Sequence, residues 1–219
     1  MKRLITYSKN LALNPFISGS FIMLVGTNLH NLGQLIFHFL AGRMLGTVYY
    51  ADVASIISLL GLISIVQLSL GLTIVKFISS TEDKTHLLNL CKWLYYWSFR
   101  IGLVVAIVFM LITPLLSEFL NIHQKNAVFL LGPSLLLFMM INTGRSILQG
   151  LLKFNSFVLS MIIEVSIKIA LSIPLILAGY AVFGVMIALF LSALASFFIV
   201  TATLSEYLKG KKEEMSVLP

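Results

Sequence analysis

Between Phe16 and Tyr207 the chain repeats one pattern: apolar runs well beyond 18 residues, separated by short polar or basic breaks. Runs of that length leave few choices, because in hydrocarbon every backbone N–H and C=O must be paired within a helix or a closed barrel. Barrel strands would alternate in and out over roughly 10 residues, whereas polar residues here recur at the steps of three and four that mark a helix. The chain therefore reads as all-α and polytopic. Charged residues make up 11% of it, against about 25% in soluble domains. At about 20 apolar residues per crossing, 219 residues hold six transmembrane helices and no soluble domain beside them.

The expected spans lie at about 16–41, 52–78, 98–119, 127–152, 157–178 and 185–207, one lobe within residues 1–208, followed by a cytoplasmic tail, 209–219. The first apolar stretch is too long for a signal-peptide core and has no clean cleavage site, so it is retained as a span. Gly42 to Thr47 is expected to form the first connection, with Asp52 capping the second helix at its N-terminus. Ser79 to Lys92 reads as a polar, amphipathic entry to the third span, leading to Trp93, Tyr95, Tyr96 and Trp97 at headgroup level. Thr113-Pro114 is expected to kink that span. Lys153 to Ser156 reads as the turn between spans four and five, and Gly179 to Gly184 as a tight hairpin before span six. In that last span Ala188, Ser192 and Ser196 have the small-xxx-small spacing of close helix packing.

The net charge of +7 lies at span ends rather than on one folded surface, so it indicates topology and no nucleic acid. With both termini inside, Lys2, Arg3, Lys9, Lys76, Lys84, Lys92, Arg100, Lys153, Lys209, Lys211 and Lys212 are cytoplasmic, and only Arg43 and Lys125 are outside. That asymmetry predicts cytoplasmic termini in a cell membrane. One cysteine, Cys91, permits no internal disulfide, and no Cys/His set has metal-ligand spacing. No nucleophile elbow, zinc helix or phosphate-cradling glycine loop is present, so neither an enzyme nor a cofactor is expected.

Charge inside the apolar runs is the feature with chemical content. Arg145, Glu164 and Lys168 fall within two neighbouring spans, and intramembrane ionisable residues point by default to function. Asn142, Arg145 and Gln149 share one face of span four, and Ser160, Glu164, Lys168 and Ser172 form a ridge on span five. Thr27, Asn31, Gln34 and His38 stack along span one. Taking 1.5 Å per residue, Arg145 and Glu164 lie roughly 10 Å from the cytoplasmic end and Lys168 near the midplane. Structural accounts stand beside a binding role: Glu164 and Lys168 as an i,i+4 ion pair, Arg145 snorkelling to the inner headgroups, and the amides and His38 as interhelical hydrogen bonds. Arg43 and Lys76 are expected to anchor at the interfaces.

The segments Gly42-Arg43-Met44-Leu45-Gly46 with Tyr49, Gly71 to Ser79 with Lys76, Arg145-Ser146-Ile147-Leu148-Gln149-Gly150 with Lys153, and Glu164 to Lys168 leading to Gly179 to Gly184 together resemble the polysaccharide-biosynthesis flippases, relatives of the multidrug and toxic-compound exporters. The resemblance covers nearly the whole chain. It implies one N-terminal lobe of a 12–14-helix flippase that moves a lipid-linked oligosaccharide across the membrane by alternating access through a cationic cavity. It also implies a second lobe, supplied by a longer protein or a homodimer partner. Tyr50 departs from the family's frequent Gly after Tyr. Under this resemblance Arg145 and Lys168, with Asn31, Gln34, Asn142 and Gln149, would receive a (pyro)phosphate and its sugars, and Glu164 would tune Lys168 or couple to a cation. The partners are then membrane lipid and lipid-linked saccharide. A cation-coupled exporter of amphiphiles and a non-transporting membrane scaffold are the alternatives.

Overall fold

The computed structural model describes residues 15–209, with side chains over 18–208, and Lys2, Arg3, Lys9, Lys211 and Lys212 and most of the expected tail lie outside that range. The described residues form helices α1 (Pro15–Ser80), α2 (Lys84–Phe119), α3 (Lys125–Phe129), α4 (Leu131–Gly150), α5 (Phe154–Leu177) and α6 (Ala181–Lys209), with no strand among them. Five helical stretches are long and apolar enough to cross a membrane. The expected six separate spans are therefore corrected to five helices, because spans one and two are joined in α1.

A straight helix of the 66 residues of α1 would be about 100 Å long, against roughly 30 Å of hydrocarbon. Gly46, at φ 71° and ψ 179°, is the single break. Around it α1 folds back on itself. The Tyr50 hydroxyl lies 3.2 Å from His38 Nδ1, twelve residues away, and the Tyr50 ring packs against Gly42. Gly19, Gly26 and Gly33 of the first arm meet Phe154, Val158 and Val165 of α5 in order, so that arm runs parallel to α5. In the second arm Gly71 meets Ser146 and Ile78 meets Gly150, so it runs parallel to α4. The expected six-residue connection is one glycine because helix up to the turning point leaves fewer backbone groups unpaired in lipid. The conformation at Gly46 is open essentially to glycine alone, so Gly46→Ala is expected to lower stability by about 1–3 kcal/mol. Thermal unfolding in micelles checks this against Gly61→Ala, where no atom lies within 4 Å of an added Cβ.

Other boundaries also move. Helix α2 begins at Lys84, with the Asp83 carboxylate accepting from the Thr85 and His86 amides, so the polar entry is already helix and the third span is longer than expected. It continues through Pro114 to Phe119. Span four is divided by a one-residue step at Leu130, with Pro133 in the first turn of α4, where a missing N–H is harmless. The turn before α5 is Leu151 to Lys153, with Leu152 at φ 57°, and Phe154 to Ser156 are helical. The hairpin before α6 is shorter than expected, with Gly179 at φ 87° and α6 starting at Ala181.

Helix α4 packs against α1, α2 and α6, and α5 lies between the first arm of α1 and α6. At one end of the bundle Phe37, Val53, Ile56, Leu131, Leu135 and Met186 form a buried core. There Asp52, 4% exposed, accepts from the His123 amide at 2.9 Å and sits 3.2 Å from its ring, which corrects the expected helix cap: Asp52 lies inside α1 and ties it to the α2–α3 corner. Towards the other end Ile78, Tyr95, Ile141, Leu148, Val200 and Leu204 form a second core. Ala188, Ser192 and Ser196 are buried, as their spacing implies. Arg43 and Lys76 are exposed, and Arg100 stacks on Tyr96 at 4.4 Å.

Candidate functional site

Arg145, Glu164 and Lys168 are buried at 9%, 6% and 6% exposure, so none of them faces the lipid side of its helix. Burial of charge is tolerable only with partners, and these are specific. Arg145 on α4 donates from Nε to the Ser160 hydroxyl at 2.9 Å, and from Nη2 to Glu164 Oε2 at 2.7 Å and the Ser196 hydroxyl at 2.9 Å. One guanidinium thus ties α4 to α5 and α6, which overturns the snorkelling account. The i,i+4 ion pair is also not formed. Glu164 pairs across the helices with Arg145, and the only other ion pairs among the described residues are Asp52 with His123 and Glu118 with Lys125. A planar fork reaching one carboxylate and two hydroxyls outcompetes a flexible ammonium one turn away.

Lys168 is held differently. Its ammonium donates to Gln34 Oε1 and lies 4.3 Å from the centre of the Phe37 ring. Gln34 Nε2 in turn lies 3.1 Å from His30 Nε2, and His30 Nδ1 lies 3.0 Å from the Met161 carbonyl. The cluster therefore contains one guanidinium, one lysine and one carboxylate, so basic groups outnumber acidic ones.

Beside it lies an open-sided cleft of about 370 Å³ between the two arms of α1 and the faces of α4 and α5, lined by His30, Gln67, Asn142, Arg145, Gln149 and Glu164 among others. Asn142 donates to Gln67, which joins the cleft's two walls. Arg145 has five N–H donors, and its Nη1 makes no hydrogen bond among the described residues. Nor is that nitrogen sealed in, since the one buried, unpartnered side-chain polar atom is Ser134 Oγ. Arg145 lines the cleft, and Nη1 is its one guanidinium nitrogen without a hydrogen bond among the described residues. Gln149 also lines a neighbouring space of about 490 Å³ with Thr27, Ser79, Leu152 and Phe154, which extends the cleft towards the end of the bundle that carries Lys76 and Lys153.

Of the residues singled out in the sequence, Arg145, Glu164, Asn142 and Gln149 meet at the cleft, while Lys168 and Gln34 stand behind it. Asn31 is exposed and not part of the cluster. His30 and Gln67 were not anticipated. For His30 a signal exists: at 100° per residue it lies about 20° from Gly19, in the stripe of Gly19, Gly26 and Gly33, whereas Asn31 lies about 120° away. Among the described residues no group of three His, Cys, Asp or Glu side chains could hold a metal.

The sequence model of the polysaccharide biosynthesis protein family matches residues 16–217, the whole of the helical bundle. The chain belongs to this family. No curated protein and no solved structure matches it. For a polysaccharide biosynthesis protein, five long apolar helices make a multi-pass membrane protein with a transporter-like build.

Proposed function

We propose that this polysaccharide biosynthesis protein moves a lipid-linked oligosaccharide precursor across the membrane, and that the cleft at Arg145 receives its phosphate. The observation that carries this reading is the free Nη1 edge of a guanidinium whose other donors are fixed by Glu164, Ser160 and Ser196. A fork already braced on one side presents two N–H groups to an anion with little freedom left to lose, which favours phosphate over a carboxylate-free amphiphile. Gln67, Asn142 and Gln149 supply amides suited to sugar hydroxyls. The cleft extends towards the end rich in lysine, and by the positive-inside rule that end is cytoplasmic, where such precursors are made available in the plasma membrane.

On this reading the chain is one lobe of the transporter, a second lobe closes the cleft, and the protein is a carrier rather than an enzyme. Cytoplasmic termini follow from the same rule. A cation-coupled exporter of small amphiphiles would need acidic groups in excess, and the cluster has the opposite balance.

Arg145→Lys tests the proposal. Lysine retains a cation for Glu164 but cannot brace two hydroxyls and still offer a fork. Losing charge-assisted hydrogen bonds of about 1.5–3 kcal/mol implies export reduced about tenfold to a hundredfold. Export of the saccharide precursor is measured in whole cells against the amount of protein in the membrane. Export that stays at the wild-type rate overturns the proposal. A fall only in proportion to a lower protein level supports a scaffold instead.

A further inference from the structure

The chain of contacts from the cleft to Lys168 fixes its own hydrogens. Lysine ammonium has only donors, so the Gln34 atom it meets must be the carbonyl oxygen. The other end of that amide is then NH₂, a donor, and His30 Nε2 beside it must accept. His30 Nδ1 must therefore carry the ring's hydrogen and donate it to the Met161 carbonyl. The Met161 carbonyl places the ring's hydrogen on Nδ1, and a charged Lys168, acting through Gln34, keeps Nε2 bare, so His30 is neutral.

The same logic runs in reverse. A proton on His30 Nε2 would point N–H at the Gln34 NH₂. The contact survives only if the Gln34 amide turns over, giving its oxygen to His30 and its NH₂ to Lys168. Lys168 then loses its acceptor. The nearest carboxylate on its own helix is Glu164, one turn earlier, which is held by Arg145. From this geometry we infer that Gln34 makes protonation of cleft-facing His30 and anchoring of Lys168 to α1 mutually exclusive, a proton-operated switch in the wall of the cleft.

The groups that face these two residues are few. His30 faces Arg145 of α4 and Glu164 and Lys168 of α5, and Lys168 faces Glu164 on its own helix and His30 and His38 of α1. On α6 the uncharged Ser196 accepts from the Arg145 guanidinium. The proton comes from solvent in the cleft to Nε2, and the amide rotation breaks and makes hydrogen bonds only. Lys168, once released, competes with Arg145 for Glu164, so proton uptake loosens the guanidinium that the proposed function assigns to phosphate. This inference deepens that proposal by naming what would couple the cleft to a proton gradient.

The test reads His30 directly and needs no substrate. Histidine-labelled full chain is studied in lipid nanodiscs by nitrogen-15 NMR, and the His30 signals are assigned by their loss in His30→Asn. At neutral pH the wild-type protein is expected to show one proton-bearing nitrogen, Nδ1, and one bare nitrogen, Nε2. In Gln34→Glu an oxygen faces both neighbours, so the bare-nitrogen signal of His30 is expected to disappear at the same pH. In Lys168→Met nothing holds the amide oxygen, so Gln34 can turn over and Nε2 is expected to take up a proton at a higher pH than in the wild type, while Nδ1 stays bonded to the Met161 carbonyl. Mixed tautomers in the wild type, a persisting bare Nε2 in Gln34→Glu, or protonation of Nε2 in Lys168→Met at no higher pH than in the wild type would each overturn the switch. Export failing in Arg145→Lys leaves these signals untouched, so the two proposals stand or fall separately.

Discussion

Arg145→Ala is expected to destabilise the bundle by about 3–5 kcal/mol, because it leaves Glu164 buried at 6% exposure without its partner. Glu164→Ala is expected to cost a similar amount by stranding the guanidinium. The double replacement Arg145→Met with Glu164→Met should recover most of that loss, since two apolar chains of similar length fill the space without an unpaired charge. The two serine hydrogen bonds are minor by comparison, as such contacts within membranes average about 0.6 kcal/mol. Thermal unfolding in nanodiscs measures all three variants. Recovery in the double variant would show that the pair is dispensable for folding, and export measured on the same protein would then isolate its role in transport. Stability restored without export is the expected result. A double variant as unstable as either single one would mean that the pair itself, and not merely the avoidance of a stranded charge, holds α4 to α5.

Gly26→Leu is expected to have the second largest effect. An added Cβ there would fall closer than 3.0 Å to the Val158 side chain, and the same holds at Gly33 against Val165. Overpacking of a close interface costs about 1–3 kcal/mol, and the stiff β-branched Val158 leaves little room to relax. The first arm of α1 should separate from α5, taking His30 out of reach of the Met161 carbonyl and Gln34 away from Lys168. Gly61→Leu is the comparison, since nothing lies within 4 Å of a Cβ at Gly61. Loss of thermal stability in Gly26→Leu but not Gly61→Leu is the expected pattern. Equal stability of both would mean that the glycine stripe is not a helix contact.

The apolar runs disclosed a helical membrane bundle, because hydrocarbon leaves so few backbone solutions, yet they could not place its corners. The stretch from Gly42 to Thr47 has the composition of a loop, but only Gly46 leaves the helix. Likewise Lys84 starts α2 well before the apolar part begins, since a helix end needs a cap and not a change of hydropathy. Asp52 was read from its local position as a cap, and its partner His123 is 71 residues distant, which no local pattern announces. The charged cluster was legible as a cluster, but its pairing was not. Spacing joins Glu164 to Lys168, whereas three-dimensional proximity joins it to Arg145. The polar steps through Asn31 traced a face of α1, but the glycines, by permitting close approach, mark the face that packs.

The second arm of α1 is fastened near its ends, by Asp52 to the α2–α3 corner and by Ile78 against Gly150, while Leu62, Ile65, Val66, Leu68 and Leu72 between them stand more than half exposed. Along that middle stretch the Asn142–Gln67 hydrogen bond is, among the described residues, the one side-chain bond that reaches across to α4. A rod pinned at both ends and tied midway by one side-chain hydrogen bond beside the Gly71–Ser146 approach yields there. Any bowing of this wall therefore opens the protein beside Arg145, at the waist of the molecule, while both of its rims stay put.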